Sequence, residues 1–71
     1  MTVKRSTKLL REGEYLAEVD VKLIFSDDSW SPYLSIEDAS KLDEVREALL
    51  RGDMEDAARL ARIFALKPVA V

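Results

Sequence analysis

The sequence contains no cysteine and no histidine, and its 71 residues include only two glycines and two prolines. Without cysteine there is no disulfide framework and no thiolate zinc site. Without histidine the usual general base and the commonest metal ligand are missing. Gly13 and Gly52 stand apart, so there is no glycine-rich loop to cradle a phosphate. Long apolar runs are lacking too. Pieces such as Leu23-Ile24-Phe25 fall far short of the ~18 residues of a membrane span. The basic N-terminal residues are not followed by the apolar stretch of a secretory signal. A cytoplasmic protein without membrane contact is expected.

What is present is 48% apolar and 35% charged residues, the balance of one small globular domain over residues 1–71. A chain this short buries only about 60% of the surface it exposes when unfolded. Domains below roughly 70–80 residues rarely gain more than about 3–5 kcal/mol from one core, so a homodimer is the expected source of further stability. Charge is unevenly placed. Lys4, Arg5, Lys8 and Arg11 precede the first acidic residue, Glu12, while the remainder of the chain is acidic and brings the net charge to -3. An acidic body repels a polyanion, so any nucleic-acid contact would be confined to that basic segment; the plainer reading is that the four cations complement the acidic body of the same chain or of a partner subunit.

Residues 14–25 carry the strongest strand pattern. Tyr15, Ala17, Val19, Val21, Leu23 and Phe25 recur with period two, and Glu18, Asp20 and Lys22 fall between them. Residues 3–11 alternate more weakly, with Val3, Thr7 and Leu9 on one side, and Glu12-Gly13 supplies a turn, so the two segments read as a β-hairpin. The Ser26–Ser29 cluster ends the second strand. Trp30-Ser31-Pro32-Tyr33-Leu34 follows as an extended piece suited to a short edge strand, because Pro32 cannot donate to a ladder.

Ser35 is placed to cap a helix, with Asp38 in the third position and Glu37 and Asp38 favouring the positive end of the helix dipole. Ile36, Ala39, Leu42, Val45 and Leu49 form its expected apolar stripe. Gly52 supplies the left-handed stop and Asp53 the next cap. A second helix is expected from about Met54 to Leu66, with Ala57, Leu60, Ala61 and Phe64 on one face, ended by Pro68 and followed by the apolar tail Val69-Ala70-Val71. The expected fold is α+β: an N-terminal β-hairpin with room for a third edge strand (1–34), packed against a C-terminal helical hairpin and tail (35–71).

Catalytic chemistry has little to stand on. The serines 26, 29, 31 and 35 sit among turn and cap residues with no histidine to activate them. The pairs Asp27/Asp28 and Glu37/Asp38 lack the spacing of a calcium loop, and turn and cap roles account for them. No enzyme, metal or cofactor is expected. Candidate interface residues are Trp30, Tyr33, Phe64, Val69 and Val71. Aromatics such as Trp30 and Tyr33 are common at interface centres, and they could equally fill the end of a small core.

Glu14–Val21, Trp30–Ala39, Asp43–Leu49 and Gly52-Asp53 together resemble a group of small uncharacterised bacterial proteins sharing a Trp-Ser-Pro-Tyr-Leu-Ser-x-Glu-Asp-Ala segment. That resemblance implies a bacterial, cytoplasmic protein and no activity. A strand hairpin followed by a Glu-Asp-Ala helix start is similar, more distantly, to the antitoxin components of HicB-type toxin–antitoxin pairs. These 71 residues lack that family's glycine-rich turn before the helix and its appended DNA-binding domain.

Two functions follow as expectations. One is a dimeric interaction module, antitoxin-like, that meets a basic protein through acidic helices bearing Glu37, Asp38, Glu44, Glu47, Glu55 and Asp56. The alternative is a DNA-binding regulator that presents Lys4, Arg5, Lys8 and Arg11 on an N-terminal strand, resembling a ribbon-helix-helix arrangement.

Overall fold

The computed structural model describes residues 2–27 and 31–70. Trp30 and Val71, two of the candidate interface residues, lie outside them. The elements run β1 (Thr2–Glu12), β2 (Tyr15–Phe25), β3 (Tyr33–Leu34), α1 (Ile36–Arg51), α2 (Met54–Leu60) and β4 (Arg62–Ala65). This is the α+β class, with the hairpin packed against the helices.

β1 and β2 pair antiparallel over their whole length, from Thr2 opposite Phe25 to Glu12 opposite Tyr15. That leaves Gly13-Glu14 as a two-residue loop. Gly13 has φ 58° and no described non-glycine residue has a positive φ, the combination of a type II′ turn, whose twist matches the flanking strands. β2 is the hub of the sheet. Its second edge pairs with β4 at the hairpin end (Tyr15 opposite Ala65, Glu18 opposite Arg62) and with the two-residue β3 at the far end (Leu23 opposite Leu34, Ile24 opposite Tyr33).

Between those partners, side chains of α1 close the edge of β2. The Lys22 N–H donates to Asp38 Oδ2 at 2.7 Å, and Lys41 Nζ donates to the Asp20 carbonyl at 2.8 Å. Two backbone groups that would otherwise face only solvent are thus satisfied by a carboxylate and an ammonium.

α1 begins where the sequence places it. Ser35 is extended (φ -66°, ψ 161°) and its Oγ accepts the Asp38 N–H at 3.1 Å. The helix continues unbroken to a Schellman stop: Gly52 has φ 75°, its N–H donates to Leu49 O at 3.1 Å, and the Asp53 N–H donates to Ala48 O at 2.8 Å. Asp53 then caps α2 by accepting the Asp56 N–H at 3.1 Å.

α2 is shorter than the expected helix to Leu66. It ends at Leu60, Ala61 turns extended (φ -153°, ψ 166°), and residues 62–65 form β4. The unpaired edge of β2 at Tyr15–Glu18 offers ladder hydrogen bonds to Arg62–Ala65. That pairing outweighs the helical spacing of Phe64 with Ala57 and Ala61, since propensity yields to tertiary context.

The core is one layer between the helices and one face of the sheet. Ala17, Val19 and Val21 of β2 are buried against Val45, Ala48 and Leu49 of α1 and Ala57 of α2, with Leu10, Leu34, Leu42, Met54, Leu60, Ala61 and Ile63 around them. Ile36, expected in the apolar stripe, is instead 84% exposed, and Ala39 is exposed as well. Steps of three residues fall short of a full turn. Nine residues at about 100° each carry Ile36 to the side of the helix opposite Val45. The molecule is a slab measuring 46 × 31 × 14 Å. No described helix is long and apolar enough to cross a membrane.

Candidate functional site

Strand alternation assigns every sheet residue to one of two faces. The odd-numbered residues of β2 meet the helices, so Leu16, Glu18, Asp20, Lys22 and Ile24 face the other way. The pairing register adds Val3, Arg5, Thr7, Leu9 and Arg11 from β1, Arg62 and Phe64 from β4, and Tyr33 from β3. Among the described residues no helix packs on this face. Its large apolar side chains are open to solvent: Val3 is 52% exposed, Leu9 61%, Tyr33 48% and Phe64 46%.

The face is ordered in bands along β2. At the hairpin end Arg11, Leu16 and Phe64 lie side by side, followed by Leu9, Glu18 and Arg62. Thr7 and Asp20 form the middle, Arg5 and Lys22 come next, and Val3, Ile24 and Tyr33 close the far end. The far end is apolar, the hairpin end combines Leu16 and Phe64 with Arg11, and the centre is charged.

Arg62 organises that centre. Its Nε donates to Glu18 Oε1 at 3.0 Å, while Nη1 and Nη2 donate to the two oxygens of Asp20 at 3.0 and 2.9 Å. Thr7 Oγ1 adds a long contact to Asp20 at 3.4 Å. Hydrogen bonding from Arg62 holds the Asp20 carboxyl below the usual carboxylate range, and the same two carboxylates raise the Arg62 guanidinium above its ordinary value. Arg62 thus offsets one of the two negative charges of the face, on which Arg5, Arg11 and Lys22 are the further cations. Beside them a depression of about 510 Å³ is lined by Arg5, Thr7, Asp20, Lys22, Asp38 and Lys41, among others.

The sequence-derived candidates are distributed unequally. Tyr33 and Phe64 share the open face but stand at opposite ends of it, level with Ile24 and Leu16. Phe64 is therefore on the sheet, and the helix face expected to hold it ends before it. Val69 lies beyond β4, 84% exposed, and does not join them. The four N-terminal cations are divided by the pleat. Arg5 and Arg11 lie on the open face, whereas Lys4 and Lys8 fall on the helix side, with Lys4 Nζ 5.6 Å from the centre of the Phe25 ring. Leu9, Val3 and Arg62 were not singled out from the sequence. The period-two pattern of residues 3–11 marks the first two, while Arg62 finds its carboxylates 42 and 44 residues away and has no local signal.

The helical side is acidic. Asp56 is committed to Arg51 and Arg59, and hydrogen bonding from Arg59 lowers its carboxyl; Asp38 is committed to the edge of β2. Glu37, Asp43, Glu44, Glu47 and Glu55 stand exposed and outside any ion pair among the described residues. Among the described residues no group of three or more acidic side chains is placed to hold a metal ion. No family model, no curated protein and no solved structure matches this chain.

Proposed function

We propose that the chain is a protein-interaction module whose working surface is the open face of the sheet. One observation carries this reading: Val3, Leu9, Tyr33 and Phe64, four of the nine large apolar side chains open to solvent among the described residues, all project from one uncovered sheet face. Antiparallel sheets tolerate one wet face, but such a face is ordinarily polar. Large apolar side chains gathered in the open on one face mark a protein contact.

The test compares Leu9→Lys, which places a charge on the open face, with Ile36→Lys, which places one at an exposed helix position. Sedimentation and quantitative capture should show association, with itself or with another protein, lost in Leu9→Lys and retained in Ile36→Lys. Association insensitive to Leu9→Lys would remove the face from consideration. Salt-dependent binding of duplex DNA, lost on neutralising Arg5 and Arg11, would replace the protein reading with the regulator reading.

A second reading is favoured by the helical side. Exposed Glu37, Glu44, Glu47 and Glu55 would steer a basic protein there, as an antitoxin-like component requires. Reversing Glu44 and Glu47 to lysine should slow that association several-fold at low salt and leave the sheet-face contact unchanged.

A further inference from the structure

We infer that the open face is closed by a second copy of this chain, sheet on sheet, about a two-fold axis that lies in the interface and runs across the strands at the level of Thr7 and Asp20. The inference rests on the interaction-module reading and names its occupant.

Area is the first argument. The chain exposes 5557 Å², about 1,100 Å² more than a folded monomer of 8.0 kDa is expected to expose. Its radius of gyration is 14.3 Å where about 11 Å is expected for this length. A stable interface takes about 800 Å² from each partner, less than that excess. Stacking two slabs, each 14 Å thin, turns two half-covered sheets into a sandwich with helices on both outer sides.

Self-complementarity is the second argument, because a two-fold contact must match a patch to itself. The chosen axis lays each band on its mirror position. Leu16 meets Ile24 of the second copy and Phe64 meets its Tyr33, apolar on apolar, while Val3 meets Arg11 and Leu9 meets Arg5, where the aliphatic stems of the arginines are the surface to pack on. Glu18 meets Lys22 of the second copy, opposite charges. Asp20 lies near the axis and meets its own copy with its carboxylate already hydrogen-bonded to Arg62. The other two-fold that brings the faces together runs along β2 and stacks Glu18 on Glu18 and Lys22 on Lys22. Like charges facing each other across a closed contact disfavour it.

Edge pairing is the remaining way for two copies to meet. β1 is an edge strand of 11 residues, but it carries Lys4, Arg5, Lys8 and Arg11 against the single carboxylate Glu12. Two such strands side by side repel, and lysine-rich edges are the usual protection against pairing.

The absence of cysteine makes the geometry directly testable. Sedimentation equilibrium of the unaltered chain should show a dimer, and Lys22→Glu should raise its dissociation constant about tenfold or more. Thr7→Cys, treated with a short bismaleimide, should link to its own copy. Val3→Cys and Arg11→Cys should link when mixed and fail to link when each is alone. A monomer at every concentration, or a dimer in which neither Thr7→Cys nor the mixed pair links, overturns the inference. In the monomer case the module reading still stands or falls on the Leu9→Lys comparison with other proteins, so the two failures are distinguishable.

Discussion

The two faces of the sheet are made from the same strands yet differ in every respect that matters for binding. The helix-covered face is a small-residue layer: Ala17, Val19 and Val21 fit under Val45, Ala48, Leu49 and Ala57, and no side-chain polar atom is buried there without a partner among the described residues. The open face mixes larger apolar groups with a charged centre held by Arg62. One face is built to pack once, during folding, and the residues it buries are all apolar. The other keeps both of its carboxylates hydrogen-bonded to Arg62 in advance, so that covering it later strands no bare carboxylate.

Equivalent substitutions on the two faces should separate them most sharply. Leu49→Ala removes a buried side chain and should cost about 2–5 kcal/mol in denaturant unfolding. Leu9→Ala in dilute protein should stay within about 0.5 kcal/mol, the usual range for a surface site. Its cost should then grow with protein concentration if a second copy covers it. Equal costs at high dilution would mean that the open face is covered within the monomer.

The helix layer depends on the link between α1 and α2, which gives the next largest effect. Gly52→Ala forces a Cβ into the left-handed region, where nothing crowds it but the backbone itself is strained, and should cost about 1–2 kcal/mol. Asp53→Ala should cost about 1 kcal/mol through the lost cap. Removing the seal at the edge of β2 with Asp38→Ala should be of similar size, about 1 kcal/mol. Its more telling readout is the Lys22 amide, whose hydrogen exchange should accelerate while that of Val19 stays slow.

Acid should act on the charged centre with the smallest effect. The Asp20 and Asp56 carboxyls lie below the usual value in the folded chain, held there chiefly by hydrogen bonds from Arg62 and Arg59. The unfolded chain therefore takes up protons first as pH falls. The contribution of these groups is complete above about pH 4, the ordinary carboxylate range, and is lost as pH drops through the folded values. Carbon-detected NMR titration of Arg62→Met should return Asp20 to the ordinary range and leave Asp56 where it is. An unmoved Asp20 would separate its ionisation from Arg62.

Much of this architecture is legible in the residues because it is local. The alternation from Tyr15 to Phe25, the Ser35 cap and the Gly52-Asp53 boundary each need only their neighbours to be recognised, and each stands where it was expected. Arg62–Ala65 is different. Four residues are too few to separate a period of two from one of 3.6, and the deciding partner is the edge of β2, distant in sequence. The candidate surface follows the same rule. Tyr33 and Phe64 are conspicuous as aromatics, yet only the register shows that they share a face with Leu9 and Val3. The basic cluster at residues 4–11 reads as one patch in sequence and as two half-patches once the pleat divides it.

The pairing of β4 with β2 also bears on when the molecule can become whole. The hairpin and the two helices can form from neighbouring residues while the chain is being synthesised. Glu18 and Arg62, 44 residues apart, cannot meet until nearly the last of these 71 residues has emerged. Until then the nascent sheet holds two uncompensated carboxylates and a bare edge at Tyr15–Glu18. A chain halted before Arg62 would therefore lose four residues of strand and, with them, the guanidinium that both carboxylates of the open face share.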